Sequence, residues 1–171
     1  PISRKLSVVP IDLATLTRAK RGFSTRRVDL ATVFTLVSGP IRPRTGDLVL
    51  ATVERLHFQR RIELPNGRKA TLNPGDTIIV AYGDRYATDQ FEAEVPLDLG
   101  RTNLVATGGV AAKMLSRSAG IRPATEITPL GLLMFSPLAV GLASSRVPVP
   151  ETPYSRRTPS SSACRRCMSL T

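Results

Sequence analysis

Apolar and polar residues follow a strand-like pattern between Gly46 and Pro96, and turn residues interrupt this pattern at short intervals. In the last part of the stretch, Phe91, Ala93 and Val95 alternate with glutamates, as in a strand with one buried face. The first part is a nearly continuous apolar run, which indicates a strand covered on both faces. We therefore predict short strands at residues 47–55, 59–64, 68–72, 77–82 and 90–95.

Turn residues between these strands predict how they connect. Asn66-Gly67 supplies the two positive φ values of a type I′ hairpin, so residues 62–64 should pair with residues 68–72. Five short strands favour a small closed or half-open barrel, because closure removes exposed edges. The predicted fold class is mainly β with short helices (α+β): a five- to six-stranded barrel followed by a strand-loop-helix unit.

The dipeptide Gly-Asp introduces two of the predicted strands, at Gly46-Asp47 and at Gly75-Asp76. This recurrence is compatible with an internal duplication. Coincidence is the favoured interpretation, because Gly-Asp is a common turn dipeptide. The sequence leaves both interpretations open.

The flanking segments have helix signals. Residues 10–22 begin with proline, carry basic residues at their end and stop at Gly22, which predicts a short helix. Residues 33–37 favour a strand through their β-branched content. Residues 104–107 predict a strand, Gly108-Gly109 a tight turn, and residues 110–119 a short helix closed by Gly120.

The patterns divide the chain into four segments: a basic amino-terminal segment with a short helix at 1–45, the barrel at 46–100, the strand, Gly-Gly turn and helix at 101–133, and a low-complexity tail at 134–171. Residues 127–145 carry no charge, but Pro129 and Pro137 would interrupt a membrane-spanning helix, so we predict no membrane segment. The tail is rich in Pro, Ser and Arg, a composition that predicts disorder.

Charge is distributed unevenly along the chain. The formal net charge is +11, yet residues 46–100 carry six basic and nine acidic side chains. The densest basic cluster lies before the barrel and comprises Arg18, Lys20, Arg21, Arg26 and Arg27. Such a cluster is compatible with a nucleic-acid interface, although only Phe23 is interleaved as a stacking platform. The alternative is a solvated or partner-facing helix end.

The Gly-Gly turn followed by the predicted helix suggests an anion site. Backbone N–H groups of Gly108 and Gly109 at a helix start would face a phosphate or carboxylate, and Lys113 would add charge in the first turn. The alternative is that the glycines only permit close packing and that Lys113 and Arg117 form a solvated face. The complete P-loop and dinucleotide-binding patterns are absent from the sequence.

A second candidate site is the loop at residues 83–90. Asp84, Arg85 and Asp89 form a mixture that could bind a polar ligand or a divalent ion. The alternative is a salt-bridged rim of the barrel, since two aspartates fall short of the ligands that a metal needs.

The sequence contains no complete catalytic constellation. His57 is the only histidine, and we interpret it as a surface or edge residue. Cys164-x-x-Cys167 has the spacing of half a zinc site, but the chain has no second ligand pair. We therefore predict no metal and no cofactor. Because both cysteines lie in the tail, nothing indicates an oxidising compartment, and we expect a cytoplasmic location.

The stretches GDLVLATV, GDTIIVAYGDRYATDQFEAEVP and LVATGGVAAKMLSRSAGIRPATEITPLGLL resemble the amino-terminal part of an uncharacterised bacterial protein family. The resemblance covers roughly residues 25–133 and implies a leader region that precedes a P-loop NTPase domain. No Walker A sequence follows here. From the abrupt change in composition we expect residues 134–171 to be a truncated or out-of-frame carboxyl end, which sequencing of the encoding locus would test.

Two functional hypotheses follow. The first is a non-catalytic accessory barrel domain that binds a small phosphorylated or carboxylate ligand or positions a partner NTPase domain. The second is a nucleic-acid-binding module that uses the basic amino-terminal segment. Salt dependence separates them, because phosphate-backbone binding weakens steeply with salt.

Overall fold

The computed structural model describes residues 5–135, and these residues form a mainly β structure with few helices, as the sequence predicted. The strands are β1 (Ser7–Pro10), β2 (Lys20–Arg21), β3 (Val33–Ser38), β4 (Leu48–Arg55), β5 (Arg61–Glu63), β6 (Lys69–Thr71), β7 (Thr77–Tyr82), β8 (Arg85–Tyr86), β9 (Phe91–Glu94), β10 (Thr102–Ala106), β11 (Val110–Arg117) and β12 (Thr125–Phe135). The helix α1 spans Leu13–Arg18, and 3-10 turns lie at Phe23–Thr25 and Leu30–Thr32.

One large sheet runs through ten of these strands in the order β1-β3-β12-β4-β7-β11-β9-β8, with β10 and β2 paired beside this path. The ladders between five strands form a closed circuit: β4 pairs with β7, β7 with β11, β11 with β10, β10 with β12, and β12 with β4. Within this circuit only the β7–β11 ladder is parallel, and outside it β2 also pairs parallel with β7. Three strands of this circuit follow residue 100, so it extends beyond the segment predicted as the barrel.

Both faces of the central strands β4 and β7 are buried, which confirms the prediction made for β4 from its apolar run. Val49 and Val80, which are paired across the strands, belong to one apolar cluster with Leu104, Ala111 and Ile127. The other faces of the two strands join a second cluster that includes Leu16 of α1 and Leu133 of β12. The core therefore lies on both sides of the β4–β7 pair.

The two Gly-Asp turns have the same local geometry. Gly46 and Gly75 have φ values of 92° and 89°. In each turn the aspartate N–H donates to the carbonyl three residues earlier, on Arg44 or Asn73, and the aspartate side chain accepts from that residue's N–H. Each turn also pairs with the far end of the opposite strand, through Tyr82 or Val53. The turns are thus equivalent across the antiparallel β4–β7 pair.

Strand β12 pairs with three neighbours because it is long: β10 pairs with residues 125–127, β3 with residues 132–135, and β4 with residues 126–132. Its ladder with β4 shifts register between Pro129 and Gly131, which is where a proline is tolerated within a strand. A Cβ on Gly131 would lie 2.7 Å from the carbonyl oxygen of Val37 on β3. The absence of a side chain at Gly131 therefore lets β3 and β4 approach β12 from opposite sides.

The predicted hairpin is confirmed in its pairing but not in its turn. Strands β5 and β6 pair as predicted and form a separate two-stranded sheet. The type I′ turn is wrong: the N–H of Gly67 donates to Leu64 at 2.9 Å, and Leu64 N–H donates to Arg68 at 2.7 Å. A two-residue Asn66-Gly67 loop would need a backbone N–H at Pro65, which proline lacks.

The helix predictions need larger corrections. The helix predicted at 10–22 is limited to α1, because residues 20 and 21 pair with β7 as strand β2. The helix predicted at 110–119 is wrong, because residues 110–117 form β11. Pairing with β7, β9 and β10 overrides the helical propensity of this alanine-containing segment.

The predicted tail lies largely outside the described residues. Met134 and Phe135 belong to β12 and pair with β3, whereas residues 136–171, including Cys164 and Cys167, lie beyond the described part. Within residues 5–135, no helix has the length and apolar character needed to cross a bilayer.

Candidate ligand-binding site

The anion site predicted at Gly108 and Gly109 does not form as expected, because no helix begins there. The two glycines lie in the turn between β10 and β11, and the N–H of Gly109 donates to Ala106 at 3.0 Å. A helix start would direct several unpaired N–H groups towards a ligand. The strand that follows the turn supplies no such set.

Gly109 instead permits a close backbone crossing. Gly109 has a φ of 92°, and a Cβ on it would lie 2.7 Å from the Cα of Gly22. Ser24 fastens the crossing: its N–H donates to Gly108 at 2.8 Å and its hydroxyl to Gly109 at 2.6 Å. Gly109 is therefore needed for the crossing, whereas a Cβ on Gly108 would meet no atom within 4 Å.

Lys113, the third residue of the predicted anion site, lies in a different environment. It is exposed on β11, directly across the ladder from Glu94 of β9. It lines a cavity of about 380 Å³ that also contains Arg101, Asp98 and an apolar wall. The wall consists of Val95, Pro96, Leu97 and Leu115.

The charges of this cavity are not equally available. Asp98 accepts a hydrogen bond from the N–H of Gly100 at 2.8 Å, and Arg101 lies 3.8 Å from Glu126. Among the described residues, Lys113 has no salt-bridge partner within 4.0 Å, although Glu94 faces it across the ladder. The lysine ammonium is therefore the cation of this cavity that is best able to meet a ligand.

A second cavity of about 400 Å³ adjoins the first and contains Asp84 and Arg85 of the predicted loop site. Asp84 accepts a hydrogen bond from the N–H of Val95 at 2.8 Å, and Arg85 donates to Gln90 at 2.6 Å. Arg85 thus bonds within the β8–β9 hairpin, and Asp84 joins the start of the hairpin to the residue directly after β9. Asp89 is exposed and does not line this cavity.

The two cavities share part of their lining, namely Glu94, Val95 and Leu97. Arg42 reaches the second cavity from the connection between β3 and β4. The sequence does not identify Arg42, Arg101, Leu97 and Leu115 as lining residues, because only the tertiary fold brings them together. The one local signal was Leu97 and Leu99 after Pro96, where a stop to the strand leaves apolar residues in a loop.

The basic cluster of the nucleic-acid hypothesis is largely engaged within the protein. Lys20 pairs with Asp76 and donates to the carbonyl of Thr71 at 2.9 Å. Arg21 donates to the carbonyls of Thr25 and Val28. Burial lowers the pKa of Arg21, against a smaller raising effect of the Asp29 carboxylate.

The remaining three members of that cluster are exposed. The Arg26 guanidinium lies 4.1 Å from the centre of the Phe23 ring and donates to the Phe23 carbonyl. Arg18 and Arg27 are exposed. The structure therefore brings Phe23 together with Arg26 rather than presenting the ring as a platform for a base.

His57 lies beside the charged side chain of Glu126. Its Nε2 lies 3.4 Å from Glu126, which in turn lies 3.8 Å from Arg101 at the rim of the first cavity. Its backbone N–H donates to the hydroxyl of Thr125 at 3.0 Å. Within residues 5–135, no group of three or more His, Cys, Asp or Glu side chains is placed to hold a metal ion.

The sequence matches no protein-family model and no curated protein, and the fold matches no solved structure.

Proposed function

We propose that this chain is a non-catalytic accessory domain that binds a small carboxylate or phosphate ligand with an apolar portion. In this proposal the circuit β4-β7-β11-β10-β12 is a small five-stranded barrel, and the ligand lies outside it, in the cavity beside β9 and β11. A binding role is favoured because the cavity combines an apolar wall with a few polar groups that fix orientation.

The observation that carries the proposal is Lys113 on the exposed face of β11. Its ammonium lines the cavity without a salt-bridge partner within 4.0 Å among the described residues, while Leu97 and Leu115 are 70% and 53% exposed beside it. A cation next to exposed apolar side chains suits a ligand with a negative head and an apolar body. Arg101 would assist in ligand binding, because its contact with Glu126 is long and screened by solvent and so leaves the guanidinium available.

The acidic groups of the cavity limit the negative charge of a ligand that could bind there. Glu94 and Asp98 would repel a multiply charged anion, so a monoanion is favoured over a polyphosphate. This balance also disfavours the phosphate backbone of a nucleic acid, which needs a continuous basic surface. The contacts of Lys20, Arg21 and Arg26 within the protein argue against the nucleic-acid alternative in the same way.

The resemblance to the leader region of an NTPase family suggests a partner for this domain. We propose that the domain accompanies a P-loop NTPase domain in the cytoplasm, as expected from the sequence, and that the cavity gives the assembly a ligand-responsive surface. Asp84 and Arg85 support the cavity wall in this arrangement by holding the hairpin.

A thermal-shift titration tests the proposal with acetate, octanoate and inorganic phosphate as probes. A ligand bound only by the folded state raises the unfolding midpoint with its concentration. We expect octanoate to raise the midpoint of the parent protein and Lys113→Gln to abolish the shift. Lys69→Gln, an exposed lysine on β6, is the matched control and should leave the shift unchanged. An equal shift in both variants would contradict the site.

A further inference from the structure

We propose that the outer edge of β1 is a self-association surface, at which β1 pairs antiparallel with β1 of a second copy of this chain. The surface comprises Ser7–Pro10 together with Leu6. It lies at the opposite end of the sheet path from β8 and the ligand cavities. The inference is independent of the proposed ligand.

One edge of strand β1 has no ladder partner among the described residues. The strand stands at one end of the ten-stranded sheet, and β3 is its only ladder partner among the described residues. An unpaired strand edge presents backbone N–H and C=O groups that another strand can use. Edges of this kind are blunted by charged residues, by proline or by short strand length. Ser7–Pro10 is short and ends in proline but contains no charged residue, so its edge is only partly protected.

The second step is the direction of the backbone groups. In the β1–β3 register, Val9 pairs with Leu36, and Ile11 N–H donates to Phe34 at 3.0 Å. Hydrogen-bonded and non-hydrogen-bonded pairs alternate in an antiparallel ladder. The backbone groups of Ser7 and Val9 therefore face β3, whereas those of Val8 and Pro10 face the open edge.

These directions allow pairing around a two-fold axis at Val8. The Val8 N–H would donate to the carbonyl of Val8 in the second copy, and the reverse bond would follow by symmetry. Two positions further along, the N–H of Leu6 would meet the carbonyl of Pro10 in the second copy. Proline fits this position because it lacks only a donor, and a proline on the outer side leaves the β3 ladder intact.

The side chains are complementary to themselves. Leu6, Val8 and Val9 are 59%, 58% and 49% exposed, which is unusual for apolar residues on one short segment. Two-fold pairing would set Val8 against Val8 and would oppose no like charges within the strand. A second copy of the chain is therefore the partner whose backbone groups and side chains match this edge. Two-fold contacts are also the commonest in homo-oligomers.

The association should be weak and should respond to salt in a characteristic direction. Stable interfaces bury about 1,600 Å² in total, and a four-residue edge provides less, so we expect dimers only at high protein concentration. Each copy carries a net charge of +11, and repulsion between copies is screened by salt. Self-association should therefore strengthen with salt, whereas binding to an acidic partner would weaken.

Sedimentation equilibrium of the full chain over a range of concentrations and salt tests the proposal. We expect a monomer–dimer equilibrium that Val8→Pro weakens by about tenfold or more, or about 1.4 kcal/mol. Because the Val8 N–H points away from β3, this variant should keep the fold and thermal midpoint of the parent protein. Leu130→Lys, an exposed apolar position on β12, should leave the dimer unchanged.

Val9→Pro provides the contrasting variant, since it removes the N–H that faces Leu36 and should lower the thermal midpoint. A monomer at every concentration would overturn the proposal. If the chain's own residues 136–171 occupied the edge, the protein would also stay monomeric, and the proposal would be overturned in the same way. A dimer that tolerates Val8→Pro, or an association that weakens with salt, would also overturn it.

Discussion

Gly22 and Gly109 lie in direct backbone contact, so that a Cβ on Gly109 would be 2.7 Å from the Cα of Gly22. The contact joins the segment after β2 to the turn between β10 and β11, far apart in sequence. Gly109 N–H and C=O are both used, by Ala106 and by Ala81 and Ser24. The dipeptide that suggested an anion site thus holds two loops together.

Gly109→Ala should destabilise the protein by about 2 kcal/mol or more, because it combines a positive φ with a backbone clash. Gly108→Ala is the control: no atom lies within 4 Å of a Cβ at Gly108, so we expect a change within about 0.5 kcal/mol. Urea unfolding followed by circular dichroism measures both. Equal stability of the two variants would show that the loops can separate without cost.

Predictions from the sequence succeeded where the structure depends on local residues and failed where it depends on distant ones. Strands β4 and β7 and the β5–β6 pairing were predictable, because their signals are local: apolar runs, alternation and a turn between them. The strand at residues 110–117 was not predictable, because its identity depends on ladders with three partners that lie elsewhere in the chain. Propensity favoured a helix there, and pairing prevailed.

The candidate site follows the same rule. Asp84, Arg85 and Lys113 were identified from the sequence, and the structure places all three on the walls of two adjoining cavities. Their neighbours Arg42 and Arg101 come from distant segments, so no pattern in the sequence connects them. Asp89 was grouped with Asp84 by sequence proximity alone, and the hairpin directs it elsewhere.

Asp76 should contribute to stability at neutral pH and lose that contribution in acid. Burial raises its pKa, but hydrogen bonds from Lys20 and from the N–H of Asn73, with the Lys20 charge, lower the pKa overall. A depressed pKa stabilises the fold above the unfolded value, about 3.9, and this stabilisation is lost as the pH falls through the folded pKa.

Asp76→Asn keeps an acceptor for the Asn73 N–H but removes the charge opposite Lys20. Since the pair is partly exposed, we expect a loss of about 1 kcal/mol at pH 7 and no difference from the parent protein below the folded pKa. Asp89→Asn, at an exposed position, should change neither value. A loss for Asp76→Asn that persists undiminished in strong acid would contradict the charge-based explanation.

Leu97 should determine how strongly the cavity prefers ligands with an apolar portion. Burial of each methylene group contributes about 0.8 kcal/mol, so octanoate should bind more tightly than acetate in the parent protein. Leu97→Ser should weaken octanoate binding by about 1 kcal/mol and leave acetate binding unchanged. Isothermal titration measures both affinities, with Leu130→Ser as a control at an exposed leucine outside the cavity. An equal loss of affinity for the two ligands would mean that Leu97 supports the fold and does not recognise the apolar part of the ligand.

Tyr82 should limit stability at alkaline pH. The side chain is 2% exposed, and its hydroxyl has no hydrogen-bond partner among the described residues. Burial raises the pKa of Tyr82, and the nearby Asp98 and Asp47 carboxylates raise it further. Because the folded pKa lies above the unfolded value of about 10, stability is complete below that value and is lost as the pH rises towards the folded pKa.

Tyr82→Phe should therefore keep its stability at high pH better than the parent protein. Near neutral pH it removes a buried polar group without a partner, so we expect a gain of about 1 kcal/mol or no change. Tyr86→Phe is the control, since Tyr86 is 79% exposed and should follow the parent protein throughout. Urea unfolding at pH 7 and pH 11 separates the two effects. A clear loss of stability for Tyr82→Phe at pH 7 would mean that the hydroxyl is satisfied in the folded protein, and the alkaline difference would then shrink with it.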